Sequence, residues 1–320
     1  MRRSVLILAI VLGAGRTAAD VPRALDGVLL PHLAAFAGAA RALADSAAAD
    51  CSRTSVLPAY HAARDAWAAV GDIRLGPTEA AAPTIAFTGD DRMIGLRALR
   101  AASAAAVADA GRLPAPARGL AGLDLMLGEA ELDYGPGSPG CALVRALATD
   151  LAAQAANLHA GWDAYAPLLR NPGAAGNDAY LDSRESVRAL STQILAAVEV
   201  AARTRLGRPL GTFDRPRPAR AEAWRTVRPL SDAMAALRGA AALAMALADA
   251  PLPKTQAALR RVEAAAAAIA DPSFQDIGDP QARLRLEILQ QRVEALRAAL
   301  LEELGRTLGV APGFNAMDGD

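Results

Sequence analysis

The chain has 320 residues, of which 53% are hydrophobic and only 4% aromatic, with 34 basic against 34 acidic side chains. That length suffices for one large domain or two smaller ones, and the charge balance argues against the basic stripe that nucleic acid requires. Alanine dominates, which points to an all-α fold, because Ala is the best helix former and a poor strand residue.

In chain order, residues 1–19 read as a secretory signal: Arg2 and Arg3 form the charged start, Ser4–Gly13 the apolar core, and Thr17-Ala18-Ala19 the cleavage site. The core is short for a bilayer span, and no later apolar run is free of breakers and charges. The mature chain is therefore expected to lack a transmembrane segment and to be periplasmic or secreted. Removing Arg2, Arg3 and Arg16 leaves 31 basic against 34 acidic residues, or −3. Arginine supplies every basic residue except Lys254. This reads as GC-rich coding sooner than as phosphate or carboxylate recognition.

Asp20 ahead of Val21-Pro22 suits an N-cap, and a helix should run to about residue 48, kinked at Pro31. A second helix is expected over about 54–70, with Tyr60, Arg64 and Trp67 on one face and His61 and Asp65 on the neighbouring stripe. Gly71, Gly76, Pro77, Pro83 and Gly89 then predict an irregular, functional segment over 71–91. A third helix over about 92–110, a short one over about 117–127 and a long one over about 141–170 follow. Asn171-Pro172-Gly173 is the best domain boundary. Beyond it, helices are expected at about 178–205, 219–248 (bent at Pro229), 254–270 and 280–308. The last carries Leu289, Val293, Leu296, Leu300, Leu304 and Leu308 at alternating spacings of three and four, an amphipathic bundle helix. The count predicts two four-helix bundles, 20–172 and 173–310, followed by a tail at 311–320.

Cys51 and Cys141 are the only cysteines. In an exported chain an even pair reads as a disulfide. The three histidines are His32, His61 and His159. A catalytic zinc takes three protein ligands, and neither HExxH nor HxxE is present. His61 with Asp65 could form one edge of a metal site, or simply lie on a helix face. Nucleophile-elbow, P-loop and dinucleotide signatures are absent.

Five strings, in order, carry a family resemblance: WAAVGDIRLGP (Trp67–Pro77), IAFTGDDR (Ile85–Arg92), GLAGLD (Gly119–Asp124), the arginine-rich run Arg203–Leu230 and the terminal GFNAMDGD (Gly313–Asp320). They resemble the imelysin-like family of secreted bacterial helical proteins associated with iron regulation, some of them described as peptidases. The resemblance implies two helical bundles related as a structural duplication, and a signature Gly-x-His-x-x-Glu proposed as part of a metal site. Here the His position is Ala121 and the Glu position is Asp124, so half of that motif is gone.

The resemblance also implies that the irregular segments gather at the junction between the bundles. The ligand-binding candidates are then Gly76, Pro77, Asp90, Asp91, Arg92, Gly119, Asp124, Arg225, Asn315, Asp318 and Asp320. Asp124 with His61 is the candidate metal pair, since several carboxylates with few His suit a hard cation. Helix capping alone could account for Asp90-Asp91-Arg92. Glu222, Trp224 and Arg225 carry over from the AEAWR string, with Arg225 expected in a buried ion pair joining the bundles. Phe314 is expected to anchor an ordered tail. The leading expectation is a binding protein in iron or other metal acquisition, partnered by iron-uptake components of the cell envelope and without peptidase activity. The alternatives are a metallopeptidase-like hydrolase using Asp124 with His61 or His32, and a non-catalytic scaffold with a decayed site.

Overall fold

The structure is a computed structural model and describes residues 19–90, 92–104, 109–129, 132 and 135–308. The expected signal segment up to residue 18, Asp91, and the tail with Phe314, Asn315, Asp318 and Asp320 lie outside the described residues. Among those described the fold is all-α, with one isolated β-bridge between Thr212 and Arg215.

Helix α1 is Val21–Ala49. The Asp20 carboxylate accepts the Arg23 N–H at 2.8 Å, and Pro22 sits in the first turn, where its missing donor is harmless. The demand of Pro31 is taken up by a π-helical turn, Leu25–Leu29, immediately before it. Helix α2 is Arg53–Ala68, α3 Pro77–Ile85, α4 Ile94–Ala104, α5 Gly119–Gly128 and α6 Pro139–Arg170. Helix α7, Ser183–Glu199, is capped by Asp182 and continues through a π-helical segment, Val200–Leu206, to Leu210. Helices α8 (Pro229–Ala248), α9 (Pro253–Ala266) and α10 (Pro280–Leu308) complete the chain.

Two expectations need correction. The segment 71–91 is not irregular throughout, because it contains α3. Pro77 stands at the first helical position, which favours proline, and the turn that admits it is made by Gly76 at φ +52°. The helix expected from about residue 219 starts only at Pro229. Ahead of it lie 3₁₀ turns at Pro218–Arg220 and Trp224–Thr226, so Trp224 and Arg225 are not on an α-helix.

Helix α1 packs along α2 and α6, and α3 and α5 cover α6. Helices α7 to α10 pack on one another, and α8 also reaches α2 and the start of α1. One apolar cluster runs through all of them, from Val21 to Leu304, centred on large buried side chains such as Trp162, Tyr60, Phe36 and Phe274. Leu289, Val293, Leu296, Leu300 and Leu304 are buried in α10, as their spacing predicts. Cys51 and Cys141 form a disulfide, with Cα atoms 5.5 Å apart. It ties the α1–α2 link to the first turn of α6.

Candidate functional site

Helix α5 is seated by close backbone contact. At Gly119 (φ +55°) a Cβ would stand 2.2 Å from the Ile85 carbonyl oxygen, so α5 begins directly against the last turn of α3. At its other end, a Cβ on Gly128 would fall 2.3 Å from the Cβ of Arg225. The turn Trp224–Thr226 is flanked by two non-glycine residues with left-handed backbone, Ala223 (φ 51°) and Val227 (φ 60°). Such residues cost roughly 1–3 kcal/mol each and persist only where the surroundings impose them. Here they hold Arg225 and Thr226 against α5.

These contacts enclose a pocket of about 240 Å³. Helix α5 contributes Ala121, Asp124 and Leu125, α2 contributes Arg64, and the stretch after α3 contributes Phe87, Thr88 and Asp90. Arg208, Arg220, Glu222 and Arg225 close it from the segments ahead of α8. Asp124 is buried and accepts a 2.6 Å hydrogen bond from the Thr226 hydroxyl. Burial pushes its carboxyl up, while that hydrogen bond and the nearby Arg64 and Arg225 pull the other way without cancelling the rise. Arg225 pairs with Glu129, and its guanidinium lies 4.6 Å from the centre of the Trp224 ring.

Behind the pocket runs a chain of buried ion pairs. Arg64 and Arg228 share Asp232 and Arg205 holds Asp72, while Arg228 also reaches out to the exposed Asp65. Tyr60 donates to the Leu120 carbonyl at 3.2 Å, and burial raises its phenol well above the usual value.

The sequence candidates divide clearly. Asp90, Asp124 and Arg225 line one pocket, with Gly119 setting the start of α5. The buried ion pair expected of Arg225 is instead a part-buried one with Glu129. Asp90 also caps α4, accepting from the Ile94 and Gly95 N–H groups at 2.8 and 2.7 Å. Gly76 and Pro77 are not in the lining: they pack on α6, where a Cβ at 76 would meet the Tyr165 ring and Pro77 lies over Gly161. Arg92 is exposed and outside the lining. Asp91, Asn315, Asp318 and Asp320 are outside the described residues.

The expected Asp124–His61 metal pair is replaced by a hydrogen-bonded bridge. His61 Nε2 lies 3.1 Å from the Thr226 carbonyl oxygen, while Asp124 takes the hydroxyl of the same threonine. Asp65, the other expected partner of His61, is held by Arg228. Burial first, then Arg228, lowers the His61 pKa, which keeps the ring neutral near pH 7. His32 lies elsewhere, with Nδ1 2.7 Å from the Val28 carbonyl. Among the described residues no group of three His, Cys, Asp or Glu side chains is placed to hold a metal ion. Sequence reasoning missed Arg208, Arg220, Phe87 and Thr88 as lining; the signals were the arginine density of residues 203–230 and the string Ile85–Arg92.

A family model described as Imelysin matches residues 29–300. The chain belongs to the imelysin family. The fold is similar to an imelysin-like protein from Psychrobacter arcticum 273-4, with TM-score 0.75, 17% identity, and coverage of 93% of this chain and 99% of that one. It is also similar to a protein from Parabacteroides distasonis ATCC 8503 described as an iron-regulated protein A precursor, with TM-score 0.72, 14% identity, and coverage of 92% and 97%. Nothing among curated proteins matches the chain. At these identities the two structures establish the fold alone. Within this imelysin-family chain, the residue that stands in the signature's His position, Ala121, forms part of the pocket wall beside Asp124.

Proposed function

We propose that this imelysin-family chain is an exported binding protein of the cell envelope, acting in iron or other metal acquisition alongside iron-uptake components, with its ligand in the Ala121–Asp124 pocket. The observation that carries this reading is the convergence of Ala121, Asp124, Asp90 and Arg225 on one cavity. A concave site at the meeting of several elements, with a few fixed polar groups, is the usual form of a small-ligand site. The disulfide suits an oxidising compartment, and the iron-regulated description of a structural neighbour points the same way.

The lining does not suit a bare cation, since Arg64, Arg208, Arg220 and Arg225 face Asp90, Asp124 and Glu222. It suits a metal carried inside an anionic organic chelate, whose outer oxygens guanidinium groups can receive. The hydrolase alternative draws less support: position 121 offers no imidazole, and one Asp124 oxygen accepts the Thr226 hydroxyl.

Calorimetry and thermal shift on the purified mature chain test this, using ferric citrate, citrate alone and uncomplexed divalent cations. Ferric citrate should raise the melting temperature, and Asp124→Ala and Arg225→Ala should abolish the shift. If ferric citrate leaves melting unchanged while uncomplexed cations raise it, the chelate reading fails.

A further inference from the structure

A second chamber, of about 200 Å³, adjoins the pocket and shares Arg64, Ala86, Thr88 and Glu222 with it. Its far side is built by the π-helical segment Val200–Leu206, which presents Thr204 and Arg205, and by Asp72 and Arg74 in the turn after α2. π-Turns are rare and cluster at functional sites, because the extra residue moves side chains out of the helical register.

Two buried polar atoms here lack a hydrogen-bond partner, and a half-buried guanidinium stands beside them. Arg205 is 8% exposed, and its Nε makes no hydrogen bond. The Glu222 Oε2 atom is 3.5 Å from that nitrogen, long for a hydrogen bond. Glu222 Oε1 is buried without a partner. Among the described residues, the Arg74 guanidinium makes no hydrogen bond or ion pair, although its backbone N–H donates to Gln193 Oε1 at 2.9 Å. Burial lowers the Arg74 pKa, Arg205 adding to the effect and Asp72 opposing it, as expected of a cation short of a counter-ion. The exposed Thr88 and half-buried Thr204 also line the chamber, with hydroxyls that make no hydrogen bond among the described residues.

Leaving a buried donor or acceptor unpaired costs about 1–3 kcal/mol, and more for a charged group. One water fills about 30 Å³ of such a space, so the chamber has room for something several times larger. The complementary molecule presents acceptor oxygens to Arg74, Arg205 and the two threonines, and a donor to Glu222 Oε1. Arg64, Arg74 and Arg205 in the lining are matched by Asp72, Glu222 and Asp232. A ligand with both charges and no net charge preserves that balance.

We propose that this chamber binds a small zwitterion of the α-amino acid class, with its carboxylate received by Arg74 and its ammonium by Glu222. This goes beyond the chelate reading and fails separately from it, because Arg74 lines only this chamber and Asp124 only the other. The test is a melting scan of the purified mature chain against each proteinogenic amino acid, followed by calorimetry on the strongest binder. At least one amino acid raises the melting temperature and binds at a single site. Its α-hydroxy analogue, which lacks the ammonium, binds about tenfold more weakly or worse. Arg74→Met weakens amino-acid binding by a similar factor without lowering the melting temperature of the free protein, since this guanidinium anchors no other described side chain. Glu222→Gln weakens the amino acid more than the hydroxy acid. No shift with any amino acid, equal binding of the hydroxy analogue or of inorganic phosphate, or unaltered binding by Arg74→Met would each overturn the proposal.

Discussion

At the scale of single residues, Asp124 is held at an energetic disadvantage. It is 5% exposed, and burial raises its pKa despite the Thr226 hydroxyl and two nearby arginines. For an acid with a raised folded-state pKa, the neutral form is the one the fold favours. The penalty is therefore absent below the ordinary carboxylate range and grows as pH rises through that range toward the folded value. Asparagine keeps an oxygen for the Thr226 hydroxyl and carries no charge. Asp124→Asn should raise the melting temperature at pH 7–8, and the gain should vanish near pH 3. Parallel melts of the two proteins across that range check this; equal melting at pH 8 would mean that Arg64 and Arg225 fully compensate the buried charge. A carboxylate retained where an amide would be more stable is typical of a functional position, so the same variant should lose ferric citrate binding. His61 runs in the opposite sense: its lowered pKa means that protonation, as pH falls through and below the ordinary imidazole range, works against the fold.

At the scale of elements, the site depends on how tightly α2, α5 and α8 approach one another. A Cβ on Gly239 of α8 would come within 2.0 Å of the Ala69 carbonyl oxygen just beyond α2. Gly239→Ala should therefore destabilise by about 1–3 kcal/mol through overpacking, read as a lower midpoint in urea with unchanged slope. Asp232→Ala should do more, about 3–5 kcal/mol, because it strands Arg64 as a buried charge and leaves Arg228 only Asp65. Much of this framework is legible in the sequence. The α10 leucines announce a buried stripe, and Asp20 and Pro22 mark the start of α1. Helix α3 was hidden because Pro77 and Pro83 look like breakers, although proline is welcome at a first helical position. The pocket was half legible. Asp90, Asp124 and Arg225 belong to recognisable strings, but their partners Arg64, Arg208 and Glu222 come from distant parts of the chain. No local spacing could show that Arg205 and Asp72, 133 positions apart, share one wall. The surroundings of His61 and Asp124 were illegible for a related reason: Thr226, far along the chain, stands between them, its carbonyl oxygen near His61 Nε2 and its hydroxyl on Asp124.

At the scale of the whole molecule, one covalent bond joins the beginning of the helical framework to its longest helix. Cys51 and Cys141 are separated by 90 positions, and both are buried. The loop they close contains α2 to α5, and so carries Arg64, Asp90, Ala121 and Asp124. In the chain-entropy model, closing a loop of this length stabilises the fold by about 4–5 kcal/mol. The first turn of α6 has a second anchor, since the Ser138 hydroxyl accepts the Cys141 N–H at 3.2 Å. Loss of the disulfide should thus loosen the molecule without removing the helix. A Cys51→Ala/Cys141→Ala double variant should keep its helical circular dichroism and show a markedly lower denaturation midpoint. Amides of residues 139–145 should also exchange faster with solvent. The oxidised parent protein should fall to the same midpoint when melted in reductant. If the double variant melts within about 1 kcal/mol of the parent, the entropy of the 51–141 loop does not limit stability, and the continuous apolar cluster alone holds the pocket walls together.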